Sequence, residues 1–233
     1  MPTNKTIENQ FGLLDEVEVK PFSRRKFLGY VGATSAILAT AGSSCKKDPT
    51  NTNNGVNLGS GDTGILNYAY ALEQLEAAFY TMVVASQYSG ITAQETAYLT
   101  DIRNHEVAHR EFFKAALGSS AIPALQVTFA SVNFGSRASV LGTAKAFEDL
   151  GVSAYNGAGQ FIVNPDYLTA AGKIVSVEAR HAALIRELLN LNSFADNTVV
   201  DAMGLDVYAL PPAVLAIAGT YIVTKIDASH LPS

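Results

Sequence analysis

The sequence predicts an all-α fold: a four-helix bundle of two helical hairpins joined by a long crossover, plus a short C-terminal helical cap. Three observations predict it. Four long stretches carry apolar residues at helical rather than strand spacing. The second and fourth stretches open on recognisable caps. The two halves of the helical region also match each other in their central motifs.

The first helix is expected from about Asp62 to Ser86, with Asp62 or Thr63 as its cap. The second starts at Thr92, where Thr92-x-x-Glu95 reads as a capping box, and stops at Gly118. The third covers about 139–156. The fourth opens on Asn164-Pro165, a cap followed by proline in the first turn, and continues to about Leu191. Short links join the first helix to the second and the third to the fourth. The stretch from Ser119 to Ala138 is longer and rich in Val, Phe, Ser and Pro, as a crossover between hairpins requires. After the bundle, residues 192–233 carry a Pro211-Pro212 break and an apolar run from Ala213 to Val223, expected to pack over the bundle or at an oligomer contact.

The repeat is the sharper signal. Ala71-Leu72-Glu73-Gln74-Leu75 aligns with Ala146-Phe147-Glu148-Asp149-Leu150, and seven residues after each glutamate stands a tyrosine, Tyr80 or Tyr155. The second helix of each hairpin then offers Glu-x-x-His: Glu106 with His109, and Glu178 with His181. On a helix, residues three apart share a face, so each Glu-x-x-His can turn both side chains inward. Glu73 sits among Leu66, Tyr70, Ala77 and Tyr80, and Glu178 among Ile174, Val175, Ala182 and Ile185, which puts both on buried stripes.

Buried carboxylates without partners are costly, and four together repel. Two divalent cations would offset four negative charges, with two neutral imidazoles completing the coordination. Glu73, Glu106, His109, Glu148, Glu178 and His181 are therefore the candidate ligands of two metal ions. A hard oxygen and nitrogen donor set suits iron or manganese. Glu76 is the rival to Glu73, about 60° around the same helix. The repeat favours Glu73, because Glu148 matches it whereas Glu76 matches Gly151. Tyr80 and Tyr155 read either as core tyrosines with bonded hydroxyls or as partners standing behind the ligands. His105 lies about 100° off the ligand stripe and is expected at solvent or an interface, and His230 in an exposed tail.

Together these residues resemble the ferritin-like superfamily over roughly 62–191. The likeness is carried by Leu66-Asn67-Tyr68-Ala69-Tyr70-Ala71-Leu72-Glu73 and by Val177-Glu178-Ala179-Arg180-His181-Ala182-Ala183. Within the superfamily the sequence is most similar to exported bacterial ferritin-like proteins related to plant desiccation-related proteins. The resemblance implies the bundle and the six ligands. Ferritins, rubrerythrins and manganese catalases share that scaffold, so it leaves the activity open. A second Glu-x-x-His on the last helix is closer to rubrerythrin, bacterioferritin or manganese catalase than to vertebrate ferritin. Three functions follow as expectations: a redox enzyme oxidising Fe(II) or consuming oxygen or peroxide, a metal-binding protein without turnover, and a stress-protective structural bundle.

Charge and cysteine usage narrow the partners. Beyond residue 45 there remain 11 Lys/Arg against 17 Asp/Glu, a net of -6 with no basic cluster. That excludes nucleic acid and anionic lipid as favoured partners. The chain has one cysteine, Cys45, so an internal disulfide and a Cys-rich electron-donor site are both excluded.

The first 45 residues read as a leader. Ser23-Arg24-Arg25-Lys26-Phe27-Leu28 and the apolar run from Gly29 to Ala41 resemble a twin-arginine export signal. Cys45 and the Thr/Asn/Gly tract to Gly61 resemble a lipidated cysteine and its tether, although Gly42 departs from the usual Leu or Val. Cleavage after Ala41 is the competing reading. The expected organisation is thus a leader over 1–45, a linker over 46–61, the bundle over 62–191 and an extension over 192–233. The expected location is the periplasm or the outer membrane.

Overall fold

The computed structural model describes residues 55–233. The twin-arginine stretch, Cys45 and the linker as far as residue 54 lie outside the described residues. The described chain forms four long helices, α1 (Gly61–Ala85), α2 (Ala93–Leu117), α3 (Arg137–Gly159) and α4 (Pro165–Leu189), and a short α5 (Pro211–Ala218). Two two-residue strands, β1 (Val56–Asn57) and β2 (Ile226–Asp227), pair in parallel. Helix α1 packs along α2 and α3 along α4, the two hairpins meet through α1 and α3, and α5 covers α3.

The helix ends follow from local chemistry. Thr92 and Glu95 form the expected reciprocal capping box, and Gly118 ends α2 with a positive φ. Asn164 caps α4 through Asp166 N, and Pro165 occupies the first turn. Asp62 does not cap its own helix, which starts after Ser60. Its carboxylate instead accepts hydrogen bonds from Val163 N and Asn164 N, both at 2.8 Å, and so fixes the entry to α4. Helix α3 begins two residues earlier and ends three later than its apolar pattern suggests; Ser136 supplies the cap, and the segment at Val207 and Ala209 lies against its last turns.

Helix α1 is buried on every side from Gly64 to Ala77, as a helix at the centre of a layered core must be. The crossover covers its outer face, and two amides on that face hold the crossover in place. Asn67 Oδ1 accepts from Ile122 N at 3.0 Å while its Nδ2 donates to Ser120 O (2.9 Å) and Leu58 O (3.1 Å). Two turns further on, Gln74 Oε1 accepts from Leu125 N at 2.8 Å. The crossover has little secondary structure of its own, so these side chains satisfy its backbone groups, of which Ile122 N would otherwise be buried unpaired.

The C-terminal segment returns across α3. Ala209 N donates to Ser153 O at 2.9 Å, and Asn156 Nδ2 donates to Val207 O at 2.9 Å. A Cβ on Gly157 would lie 1.9 Å from Ala209 O, so only glycine permits this approach. The chain then runs alongside its own beginning: Val56 N donates to Lys225 O (2.7 Å), Leu58 N to Asp227 O (3.1 Å), and Asn57 Nδ2 to Asp227 Oδ2 (2.9 Å). Arg186, buried on α4, grips both oxygens of Asp149 on α3 at 2.7 and 2.8 Å and reaches Asp196 at 3.3 Å in the loop that follows. Among the described residues, no helix is long and apolar enough to cross a membrane.

Replacing Asn67 by Leu would strand the Ile122 N–H and the Ser120 and Leu58 carbonyls. We expect a loss of about 1–3 kcal/mol in urea unfolding. An unchanged midpoint would show that the amide does not hold the crossover.

Candidate metal centre

The six predicted side chains converge at the middle of the bundle in two groups that could each hold a metal ion. One consists of Glu73, Glu106, His109 and Glu178, the other of Glu106, Glu148, Glu178 and His181. Glu106 and Glu178 belong to both. Each helix contributes on the face its periodicity turned inward: α1 brings Glu73, α2 brings Glu106 and His109, α3 brings Glu148, and α4 brings Glu178 and His181.

All four glutamates are fully buried, and His181 is 4% exposed. Each shared carboxylate turns one oxygen to each half. Glu178 Oε1 lies 2.7 Å from His109 Nδ1 and its Oε2 3.6 Å from His181 Nδ1. Glu106 Oε1 lies 2.9 Å from His181 Nδ1 and its Oε2 3.7 Å from His109 Nδ1. The unshared carboxylates are closer to one imidazole each, Glu73 to His109 and Glu148 to His181, both at 3.5 Å.

The spare oxygens of Glu73 and Glu148 are held from behind. Tyr155 on α3 donates to Glu73 Oε1, and Tyr80 on α1 donates to Glu148 Oε1 at 2.5 Å. Each tyrosine thus serves the glutamate of the other hairpin, not the one on its own helix. Burial, followed by the neighbouring carboxylate, holds both phenols well above their ordinary pKa, so both remain donors.

What remains is informative. Glu73 Oε2, Glu148 Oε2, both oxygens of Glu106 and Glu178, and Nδ1 of both histidines are buried without a hydrogen bond. The contacts between them are short but do not have hydrogen-bond direction. Native proteins rarely leave such atoms orphaned, and a cluster of them facing one another fits cations. The chemistry of this donor set therefore fits bound metal.

The family comparison agrees. Residues 61–191 match the ferritin-like domain. The chain belongs to the ferritin-like domain family. No curated protein matches it. In this ferritin-like bundle the proton balance is as telling as the geometry. Burial disfavours charge on His109 and His181, but their carboxylate contacts outweigh it and hold both up at about 12. Burial raises Glu148 to about 8, against the pull of His181. For Glu106, burial is outweighed by the two imidazoles, which bring it down to about 2.

Two neighbours, His105 and Glu76, make contacts that the sequence pattern does not show. His105 is exposed, as expected, yet its Nδ1 lies 2.9 Å from His181 Nε2, with the rings stacked 5.1 Å apart. Such a contact fixes the outer nitrogen of an imidazole and so aims the inner one. An angular offset on a helical wheel could not show it, because the partner sits on another helix. Glu76 is 3% exposed, not at the surface, and belongs to neither group. Its carboxyl lies over Gly151, where a Cβ would come within 3.1 Å of Oε1. Burial first, then the charges of the four clustered glutamates, raise its pKa well above the ordinary carboxyl range.

Divalent cations loading the site at pH 7 must displace the imidazolium protons of His109 and His181 and the proton on Glu148. Loading should therefore acidify a weakly buffered solution, and apparent affinity should weaken as pH falls. A pH-stat titration with Mn(II) that releases no protons would contradict the site.

Proposed function

We propose that this ferritin-like protein binds two iron or manganese ions through Glu73, Glu106, His109, Glu148, Glu178 and His181, and that its chemistry is redox. The substrates are Fe(II) with dioxygen, or peroxide, and the setting is outside the cytoplasm. The observation that supports it above all others is the sharing of Glu106 and Glu178 between two otherwise separate ligand groups. A carboxylate offering one oxygen to each of two sites holds two cations close together. Four carboxylates balance two divalent charges, and oxygen and nitrogen donors suit iron or manganese.

A bound pair would supply two one-electron changes at a single place, which matches the electron demand of peroxide. The protein's own residues do the rest. Tyr80 and Tyr155 fix the orientation of Glu148 and Glu73, His105 fixes the ring of His181, and the surrounding helices keep bulk water from the carboxylates. The leader read at Ser23–Leu28 and Cys45 supports export, and twin-arginine export accepts proteins already folded around a cofactor.

The purified protein, expressed with ample iron and manganese, should carry about two metals per chain by elemental analysis. Fewer than about one per two chains would sink the dinuclear reading. Glu106→Ala and His181→Ala should each abolish stoichiometric binding, whereas Glu76→Gln should retain it. If Glu76→Gln loses metal and Glu73→Gln does not, Glu76 is the ligand from α1. Loaded protein should consume peroxide or oxidise Fe(II), and inertness to both would favour metal storage.

A further inference from the structure

The bundle is filled differently on the two sides of the metal centre. Beside Glu148 and Tyr80, aromatic rings close the core: Phe79 meets Phe147 edge to face at 5.0 Å, and Phe147 meets Tyr221 at 4.8 Å. Phe129 and Phe134 complete that cluster. Around Tyr155, which holds Glu73, lies a cavity of about 30 Å³, whose lining includes Leu72, Phe113, Ala154, Tyr155, Ala158 and Ala170. The internal repeat accounts for the contrast. Phe79 matches Ala154, Phe147 matches Leu72, and Val83 matches Ala158, so the large residue of each pair stands away from the cavity.

Tyr155 connects the cavity to the site. Ala69, also in its lining, lies one helical turn before Glu73, and Phe113 one turn after His109. Tyr155 borders it and holds Glu73. Its contents are limited by size and chemistry. A water needs roughly 10–15 Å³ and two to four polar partners. Here the Tyr155 hydroxyl is committed to Glu73, the Tyr68 hydroxyl is buried without a hydrogen bond, and Tyr167 is only half buried. One spare buried hydroxyl in an otherwise apolar lining suits a small apolar molecule better than water. A hydrated cation or a peroxide would lose hydrogen bonds on entering, whereas a neutral diatomic loses almost none.

We propose that this cavity binds dioxygen and delivers it to the Glu73–His109 half of the centre. The inference rests on the redox reading above and narrows its oxidant. The aromatic cluster closes the Glu148 half, so delivery is one-sided.

Xenon tests the cavity independently of any metal, because apolar cavities take it up. Crystals of the full chain under xenon pressure, with or without metal, should show xenon between Leu72, Tyr155 and Ala158. Ala158→Val and Ala154→Phe copy the repeat partners and should remove the xenon while leaving metal content unchanged. Fe(II) oxidation driven by dioxygen should then slow severalfold, and the peroxide-driven rate should hold. Ala158→Val is the milder change and serves if Ala154→Phe fails to fold. Absence of xenon from the unmodified protein overturns the proposal. So does a filled variant that keeps its dioxygen rate, or one that slows equally with both oxidants. Protein that binds xenon but no metal overturns the redox reading and the delivery step with it, leaving only a gas cavity.

Discussion

Glu73, Glu106, Glu148 and Glu178 are sealed from solvent at the centre of four helices. An isolated buried carboxylate costs several kcal/mol, and four of them add mutual repulsion. Much of the bundle's organisation answers that charge. Two imidazoles stand within reach of the carboxylates, two tyrosine hydroxyls hold the outer oxygens, and a full set of inward-facing atoms is left for cations. Each hairpin brings three of the six side chains and completes the other's group with one shared glutamate. Neither hairpin holds a complete group by itself.

The approximate two-fold relation between the hairpins is broken in three places, each beside the site. Glu76 occupies the space that its repeat partner Gly151 leaves free. His105, which matches Val177, supports His181 and has no equivalent behind His109. Large aromatic residues on one side match small aliphatic ones on the other. The six candidate ligands keep the symmetry, since each group takes one Glu-x-x-His pair, the glutamate of the same hairpin and one shared glutamate. The surroundings depart from it where the halves are surrounded differently.

Much of this was legible in the sequence. Helical periodicity, the Thr92–Glu95 box and Asn164-Pro165 located the helices, and the repeated Glu…Glu-x-x-His pattern singled out the six side chains that meet. Local signals of that kind depend only on neighbours three or four residues away. The rest depends on which helices touch. The crossed pairing of Tyr80 with Glu148 and Tyr155 with Glu73, the support from His105, and the use of Asp62 to cap α4 all join residues 68 to 102 positions apart. The purpose of Asn67 and Gln74 appears only once the crossover lies over them.

The parallel pairing of β1 with β2 has a mechanical side. A pull on the chain before Val56 and after Asp227 acts at opposite ends of two parallel strands. Their hydrogen bonds, with the Asn57–Asp227 contact, are then loaded together in shear and not peeled one by one. Tension arriving from either side meets this clasp before it meets α1.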